Sequence, residues 1–312
     1  MKDEPKKVRN KVQKITINKD YSGQRLDNFL LNYLKGVPKS KIYSIIRKGE
    51  IRINSRRKKP LYKLCEGDEI RIPPIKVSSK KNNFVASNIV SLIKDSIVYE
   101  DENFIAIDKP EGIASHGGSG INIGIIEAIR NIGKQYRSAK LVHRLDKNTS
   151  GCQIIAKNNK FLRHCNQLIA SREVEKTYLA VVYGKWNLKD GLYEINLEKN
   201  LTKGNERVVK KTEGGKKAKT GLYNLEVSKH FSLLKCNLHT GRTHQLRVQL
   251  SSLGFPIVGD QKYRIKKKEY LDTNFDVRRM YLHSQSFVIK ELDINLKVKP
   301  PEDFKKILKN DE

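Results

Sequence analysis

The sequence predicts an α+β protein: a mixed, largely antiparallel sheet with flanking helices, preceded by a small domain of two helices and short strands. Three observations predict it. From residue 97 to residue 289, short apolar strands recur with few helical stretches between them. The first part of the chain instead carries two apolar stripes at helical spacing. A polar, lysine-rich stretch separates the two patterns. The expected boundaries are a disordered basic tail over 1–14, a small domain over 15–75, a linker over 76–94 and a larger domain over 95–312.

In the small domain, order begins with Ile15-Thr16-Ile17. Ser22 is read as the cap of a helix carrying Leu26, Phe29, Leu30 and Tyr33, an i, i+3, i+4, i+7 stripe. After Gly36-Val37-Pro38 a second helix follows, with Ser40 as its cap, Ile42, Ile45 and Ile46 on its buried face, and Gly49 as its end. Lys39, Lys41, Arg47 and Lys48 occupy its other positions. A strand Ile51–Ile53, the basic run Arg56-Arg57-Lys58-Lys59, a turn at Glu66-Gly67-Asp68 and a strand Glu69–Ile72 complete the unit, and Pro73-Pro74 stops it.

In the larger domain, Ile97–Tyr99 and Phe104–Ile107 flank the turn Glu100–Asn103 and form a hairpin, broken by Asp108-Lys109-Pro110-Glu111-Gly112. Helices are expected over Ile125–Ile132 and over about 160–171. Strands are expected over Thr177–Val182, Thr220–Val227, Ser232–Leu238 and Ser286–Ile289.

Composition narrows the partners. The chain has 63 Lys+Arg against 34 Asp+Glu, a formal net charge of +29. Charge of that size draws in polyanions and speeds encounter with them. The candidates are nucleic acid and an anionic membrane surface; no apolar run approaches the ~18 residues of a spanning helix. The start, Met1 to Lys7, lacks the apolar core of a secretory signal. Cys65, Cys152, Cys165 and Cys236 form no C-x-x-C pair, and read as ordinary thiols of a reducing compartment, so the cytoplasm is expected.

The most informative stretch is His143-Arg144-Leu145-Asp146-Lys147-Asn148-Thr149-Ser150-Gly151. It follows Leu141-Val142 and leads into Cys152–Ala156, which reads as a buried strand closing on a Ser-Gly turn. A carboxylate is thereby held on a tight connection between two apolar segments, where a rigid scaffold aims it. Taken alone, Asp146 also fits an aspartate that bonds its own turn. Three further segments accompany it: Lys109-Pro110-x-Gly112 continuing to His116-Gly117-Gly118-Ser119-Gly120; Lys176-Thr177-Tyr178-Leu179-Ala180; and Leu238-His239-Thr240-Gly241-Arg242-Thr243-His244-Gln245-Leu246-Arg247.

Together and in this order the four segments resemble the RluA-type family of pseudouridine synthases. The small domain, with basic residues beside its second helix, resembles the S4 RNA-binding domain. An S4-like unit in front and the His-Gly-Gly-Ser-Gly continuation narrow the resemblance to the C-type branch of the family, which acts on large-subunit (23S) ribosomal RNA. The resemblance spans residues 15 to about 300.

The implied reaction breaks the bond from ribose C1′ to uracil N1, turns the base and joins C1′ to C5. It conserves atoms, so no cofactor or metal is expected, and the sequence has no Walker A, H-E-x-x-H or Cys/His metal spacing. The resemblance makes Asp146 the catalytic carboxylate, with attack at C1′, attack at C6 and a glycal route all open. It makes Arg242 the guanidinium that keeps Asp146 ionised, and Tyr178 a flat platform and proton relay. Arg144 would fill the gap left by the extruded nucleotide, Lys109 and Leu246 would shape the pocket wall, and His143 would orient its loop. Arg56, Arg57 and Lys58, with the runs at Lys210, Lys216, Lys266 and Arg278, would grip phosphates. The expected molecule is a monomer acting on ribosomal RNA or a pre-ribosomal particle, with no membrane partner. A sister enzyme with another rRNA or tRNA target, a non-catalytic RNA-binding factor and a uracil-releasing glycosidase are the alternatives.

Overall fold

The computed structural model describes residues 12–34, 37–75, 87–117, 123–201, 207–265 and 277–311. Most of the expected tail and linker, Gly36, Gly118-Ser119-Gly120 and the Lys266 run lie outside the described residues. The chain divides into two compact units, Met1–Phe84 and Val85–Glu312.

In the first unit a three-stranded antiparallel sheet has the order β1 (Gln13–Thr16), β3 (Glu69–Ile72), β2 (Arg52–Ile53). Helices α1 (Leu26–Tyr33) and α2 (Lys39–Arg47) pack on it through the predicted stripes, with Leu26, Phe29, Leu30, Ile42, Ile45 and Ile46 in one core. Neither expected serine cap forms. Ser22 instead ends a 3-10 turn over Lys19–Tyr21, and α1 begins at Leu26. Its first turn is held by buried Asp27, which accepts from Arg25 (Nη2, 2.6 Å), Tyr43 Oη of α2 (2.7 Å) and the Asn28 amide (2.9 Å). Ser40 lies inside α2, which starts directly after Pro38. Gly49 does end α2, at φ +72.

The second unit is built on one mixed sheet, in which β13 (Leu282–Ile289) lies between β7 (Ser150–Ala156) and β8 (Val174–Tyr183). The β13–β7 pair is parallel, with His283 opposite Ser150 and Ser284 opposite Gly151; the other pairs of this sheet are antiparallel. Gly151 is required at that seam. Its φ is +107, and a β-carbon would lie 2.2 Å from the Ser284 carbonyl oxygen. Ser150-Gly151 is therefore the first step of β7 and not a turn. The expected linker also ends earlier than residue 94. Ser87–Asp95 form a helix, α3, whose Ile93 is buried with Ile125, Ile126 and Ile129 of α4 (Ile125–Ile132), because its apolar positions complete that core.

Helices cover both faces. Alternate residues of β8 divide the core: Tyr178, Ala180 and Val182 pack with α6 (Gln245–Ser252), while Leu179 and Val181 meet the C-terminal helix α7 (Asp303–Lys309). α5 (Asn159–Ser171), capped by Asn158 Oδ1 on the Phe161 amide at 2.9 Å, packs with Val174 and so shares the α6 face. β9 (Gly191–Leu201) and β10 (Arg207–Lys211) extend the sheet beyond β11 (Lys216–Val227).

Candidate active site

A cleft of about 1040 Å³ opens between α5 and α6, floored by β8 and β13. The loop from Val142 to Thr149 runs along it and connects β6 (Lys140–Leu141) to its antiparallel partner β7. This loop is fixed from below at several points. Ser115 Oγ donates to the Leu145 carbonyl (2.8 Å) and accepts from the Leu145 amide (3.0 Å). The Gln153 amide donates to the His143 carbonyl at 3.2 Å. His143 stacks on Phe287 at 4.6 Å, and its Nε2 accepts from the Ile154 amide at 3.2 Å. Burial and the nearby Lys176 charge push His143 down to about 3, so it is neutral, as an Nε2 acceptor must be. It orients the loop, as expected.

Lys109 is the deepest of these supports. It is fully buried at the end of β5 (Phe104–Lys109), and Nζ donates to the carbonyls of Pro110 (2.8 Å), Lys147 (3.1 Å) and Thr149 (2.8 Å). Burial pushes its pKa down to about 7. The three carbonyls take up all three N–H groups of the ammonium and favour that form. Two of them, those of Lys147 and Thr149, closely follow Asp146 in sequence. The expectation that Lys109 forms pocket wall is thereby corrected: its side chain points under the loop and does not line the cleft.

Asp146 lies at the tip, partly exposed to the cleft, and its partner is Arg247. Arg247 Nη1 is 3.2 Å from Asp146 Oδ2. On its other edge Arg247 is bidentate to buried Asp260, Nε to Oδ2 at 2.7 Å and Nη2 to Oδ1 at 2.8 Å, with its guanidinium 5.0 Å over the Tyr263 ring. Asp260 is itself fixed by the amides of Lys262 (2.9 Å) and Tyr263 (3.2 Å). Burial works to raise the Asp260 pKa, but the hydrogen bonds and charge of Arg247 hold it below the usual carboxylate range. Arg247 is held above its ordinary value against burial by Asp260 and Asp146. A buried carboxylate thus aims a guanidinium whose remaining nitrogen meets Asp146. His244 approaches too, Nε2 3.8 Å from Asp146 Oδ1, while its Nδ1 is 2.7 Å from Tyr263 Oη; burial shifts it toward the neutral form.

Arg242, the expected partner of Asp146, is not there. It is exposed on the loop before α6, with Nε 3.3 Å from the Lys217 carbonyl. The reason is local. His244 takes a left-handed conformation (φ 52) and starts the helix, while Gln245 ties the loop back by accepting from Thr240 Oγ1 (2.8 Å) and the Arg242 amide (3.1 Å). This leaves Arg242 at the rim and turns Arg247, in the first turn of α6, to the carboxylate.

Tyr178, Leu246 and Arg144 do converge with Asp146 on the cleft. Tyr178 of β8 and Leu246 of α6 line the cleft and pack with Leu145. Burial together with the Asp146 charge raises the Tyr178 pKa, so it is a neutral phenol. Arg144 is exposed on the cleft wall and makes no hydrogen bond or ion pair with a described residue. Among the lining residues Asp146 is the sole carboxylate, amid Arg144, Lys147, Arg172, Lys176, Arg242 and Lys262. Arg56, Arg57 and Lys58 lie in the other unit, on the connection after β2; Arg56 and Arg57 are exposed, and Lys58 Nζ sits 4.5 Å over the Tyr62 ring. Among the described residues no group of three His, Cys, Asp or Glu side chains could hold a metal, and no helix is long and apolar enough to cross a membrane.

Sequence comparison agrees with this geometry. A protein of Haemophilus influenzae named ribosomal large subunit pseudouridine synthase C is 42% identical over 287 residues, covering 91% of this chain and 89% of that one. The family profile described as RNA pseudouridylate synthase matches residues 103–252, which hold Asp146, Tyr178 and Arg247. The chain belongs to this family. The RNA pseudouridylate synthase region is preceded by an S4 domain over residues 24–70. Proteins of the same C-type name from Pasteurella multocida and Escherichia coli K12 are 41% and 39% identical, over 98% and 88% of this chain and 96% and 87% of theirs. Among solved structures, human RNA pseudouridylate synthase domain containing 1 is 28% identical, with a TM-score of 0.56 over 68% of this chain and 85% of that one. Human RNA pseudouridylate synthase domain containing 4, 23% identical over 70% of this chain and 93% of that one, shares the fold with a TM-score of 0.57.

Proposed function

We propose that this chain isomerises specific uridines of large-subunit (23S) ribosomal RNA to pseudouridine, with Asp146 as the catalytic carboxylate. The observation that carries the proposal is the cleft itself: one carboxylate, paired with a buried guanidinium, in a wall whose other charged side chains are all cationic. Such a wall draws in the RNA backbone and leaves a single anionic group to meet the sugar. The relatives' names supply the choice of ribosomal RNA as substrate.

In the reaction the C1′–N1 bond breaks and a C1′–C5 bond forms; C5 loses a proton and N1 gains one. Asp146 meets the developing positive charge at C1′, or the ring at C6. Arg247 holds the carboxylate in one orientation through Asp260. Tyr178 lies flat against the uracil, and its neutral hydroxyl hands a proton on without carrying charge. Extrusion of the nucleotide precedes chemistry, and Arg144 stacks where the base had been. The protein works as a 35.9 kDa monomer in the cytoplasm, with ribosomal RNA as its partner.

The test is to incubate the purified protein with unmodified 23S transcript and map pseudouridine along it. Conversion at a few defined uridines is expected. Release of free uracil would assign the glycosidase reading instead, and tight binding without conversion would assign a binding factor.

A further inference from the structure

Two cations on the α5 side of the cleft have no anion of their own. Arg172 follows α5 directly, and Lys176 lies in β8 on the face that also turns Val174 and Tyr178 into the cleft. Neither side chain makes a hydrogen bond or ion pair with a described residue. The neighbouring acids do not neutralise them: Glu175 turns to the other face, 2.8 Å from Lys290, and Glu173 is exposed outside the cleft. Asp146, the sole lining carboxylate, is engaged with Arg247 of α6.

Both residues are placed at a cost. Lys176 is half-buried with its ammonium 5.5 Å from the Phe287 ring centre, and burial lowers its pKa. Removing a cation from water without a counter-charge is unfavourable. Arg172 is the C-cap of α5 at φ 68 and ψ 28, the left-handed region in which glycine is the usual residue. An arginine there carries backbone strain that glycine would avoid, and strain of this kind collects at ligand contacts.

We propose that Arg172 and Lys176 form a phosphate subsite, which grips a phosphodiester of the RNA strand adjoining the uridine presented to Asp146. It rests on the RNA-acting reading of this cleft. Lys176 and Tyr178 are successive residues on one face of β8, about 7 Å apart along the strand. That is the order of span from a nucleobase to its own backbone, so a base on Tyr178 brings its phosphate toward Lys176. The ammonium supplies a point charge and the guanidinium a planar fork, a pairing suited to an oxyanion with several free oxygens.

The experiment uses the full chain and a short RNA hairpin carrying a uridine mapped as its target. Each phosphodiester around that uridine is replaced in turn by a neutral methylphosphonate. One such replacement should weaken binding to the wild type roughly tenfold. The same replacement should cost Lys176→Gln and Arg172→Gly less than about twofold, and each variant should lower the slope of log K against log salt by about 0.7. Arg172→Gly should also raise Tm by about 2 °C while weakening RNA binding, opposite signs that a purely structural cap would not give. If wild type and variants lose the same affinity at every linkage, or Arg172→Gly binds like the wild type, the subsite is overturned alone. A wild type that neither binds nor converts the hairpin overturns the RNA-acting reading, and the subsite with it.

Discussion

Asp260 touches no substrate in this account, yet its replacement by asparagine is expected to disable the enzyme. Its buried carboxylate accepts four hydrogen bonds, two from Arg247 and one each from the Lys262 and Tyr263 amides. Asparagine keeps one oxygen and turns an NH2 toward N–H donors, so at least one bond to Arg247 becomes a donor–donor clash. Arg247 is only 10% exposed, and breaking a buried ion pair costs about 3–5 kcal/mol. Asp146, 3.2 Å from Nη1, takes over part of the charge, which places Asp260→Asn near the lower end, about 3 kcal/mol. For a unit of this size that is a fall in Tm of roughly 6–12 °C. With its anchor gone the guanidinium shifts and carries Asp146 with it, and a displacement of about 1 Å lowers kcat about 100-fold. Thermal unfolding gives the first number. Tritium release from RNA labelled at uracil C5, the proton lost on isomerisation, gives the second at a temperature where the variant is folded. A variant with kcat within twofold of wild type and unchanged Tm would refute the claim that Asp260 aims the site.

Three further outcomes follow from the geometry. Arg247→Lys should lose at least about 100-fold in kcat because an ammonium cannot reach Asp260 twice and Asp146 once, whereas Arg242→Met should keep kcat within about threefold; steady-state tritium release compares them. Ser115→Ala removes both bonds that fix Leu145, and should lower kcat more than it lowers Tm, since the loop and not the core is released. His283 is fully buried and its pKa is pushed down to about 4, so the unfolded chain binds the proton first as pH falls. Stability should drop between about pH 6.5 and 4 by about 1.4 kcal/mol per pH unit from this group, a slope that His283→Gln should remove in urea unfolding.

Much of this arrangement was legible in the sequence because it is local. The helical stripe over Ile125–Ile132 gave α4 with its observed ends, and the segments around Asp146 and Tyr178 lead to one cleft. The errors have a shared cause, which is that partners were set by tertiary contacts. Arg242 and Arg247 stand in the same motif, and spacing alone does not say that a left-handed His244 starts a helix between them. Asp260 lies 13 residues beyond Arg247 in a loop without a motif. The resemblance puts Lys109 in the pocket wall, and only the pairing of β5 with β7 brings the Lys147 and Thr149 carbonyls onto its ammonium beside that of Pro110. β9 alternates Tyr193, Ile195 and Leu197 with Glu194, Asn196 and Glu198, a strand signal present in the sequence and missing from the expected strands, whereas the edge strand β10 ends on Lys210 and Lys211 and alternates little. Ser22 and Ser40 have the right chemistry for caps, but Asp27 and Pro38 hold those helix starts.

The most direct measurement is pseudouridine formation by Asp146→Asn on 23S transcript, with RNA affinity measured in the same preparation. Affinity within a few-fold of wild type and no detectable pseudouridine are expected, because the cationic side chains remain and the reacting carboxylate is gone. Pseudouridine formed at a rate comparable to wild type would contradict this role for Asp146.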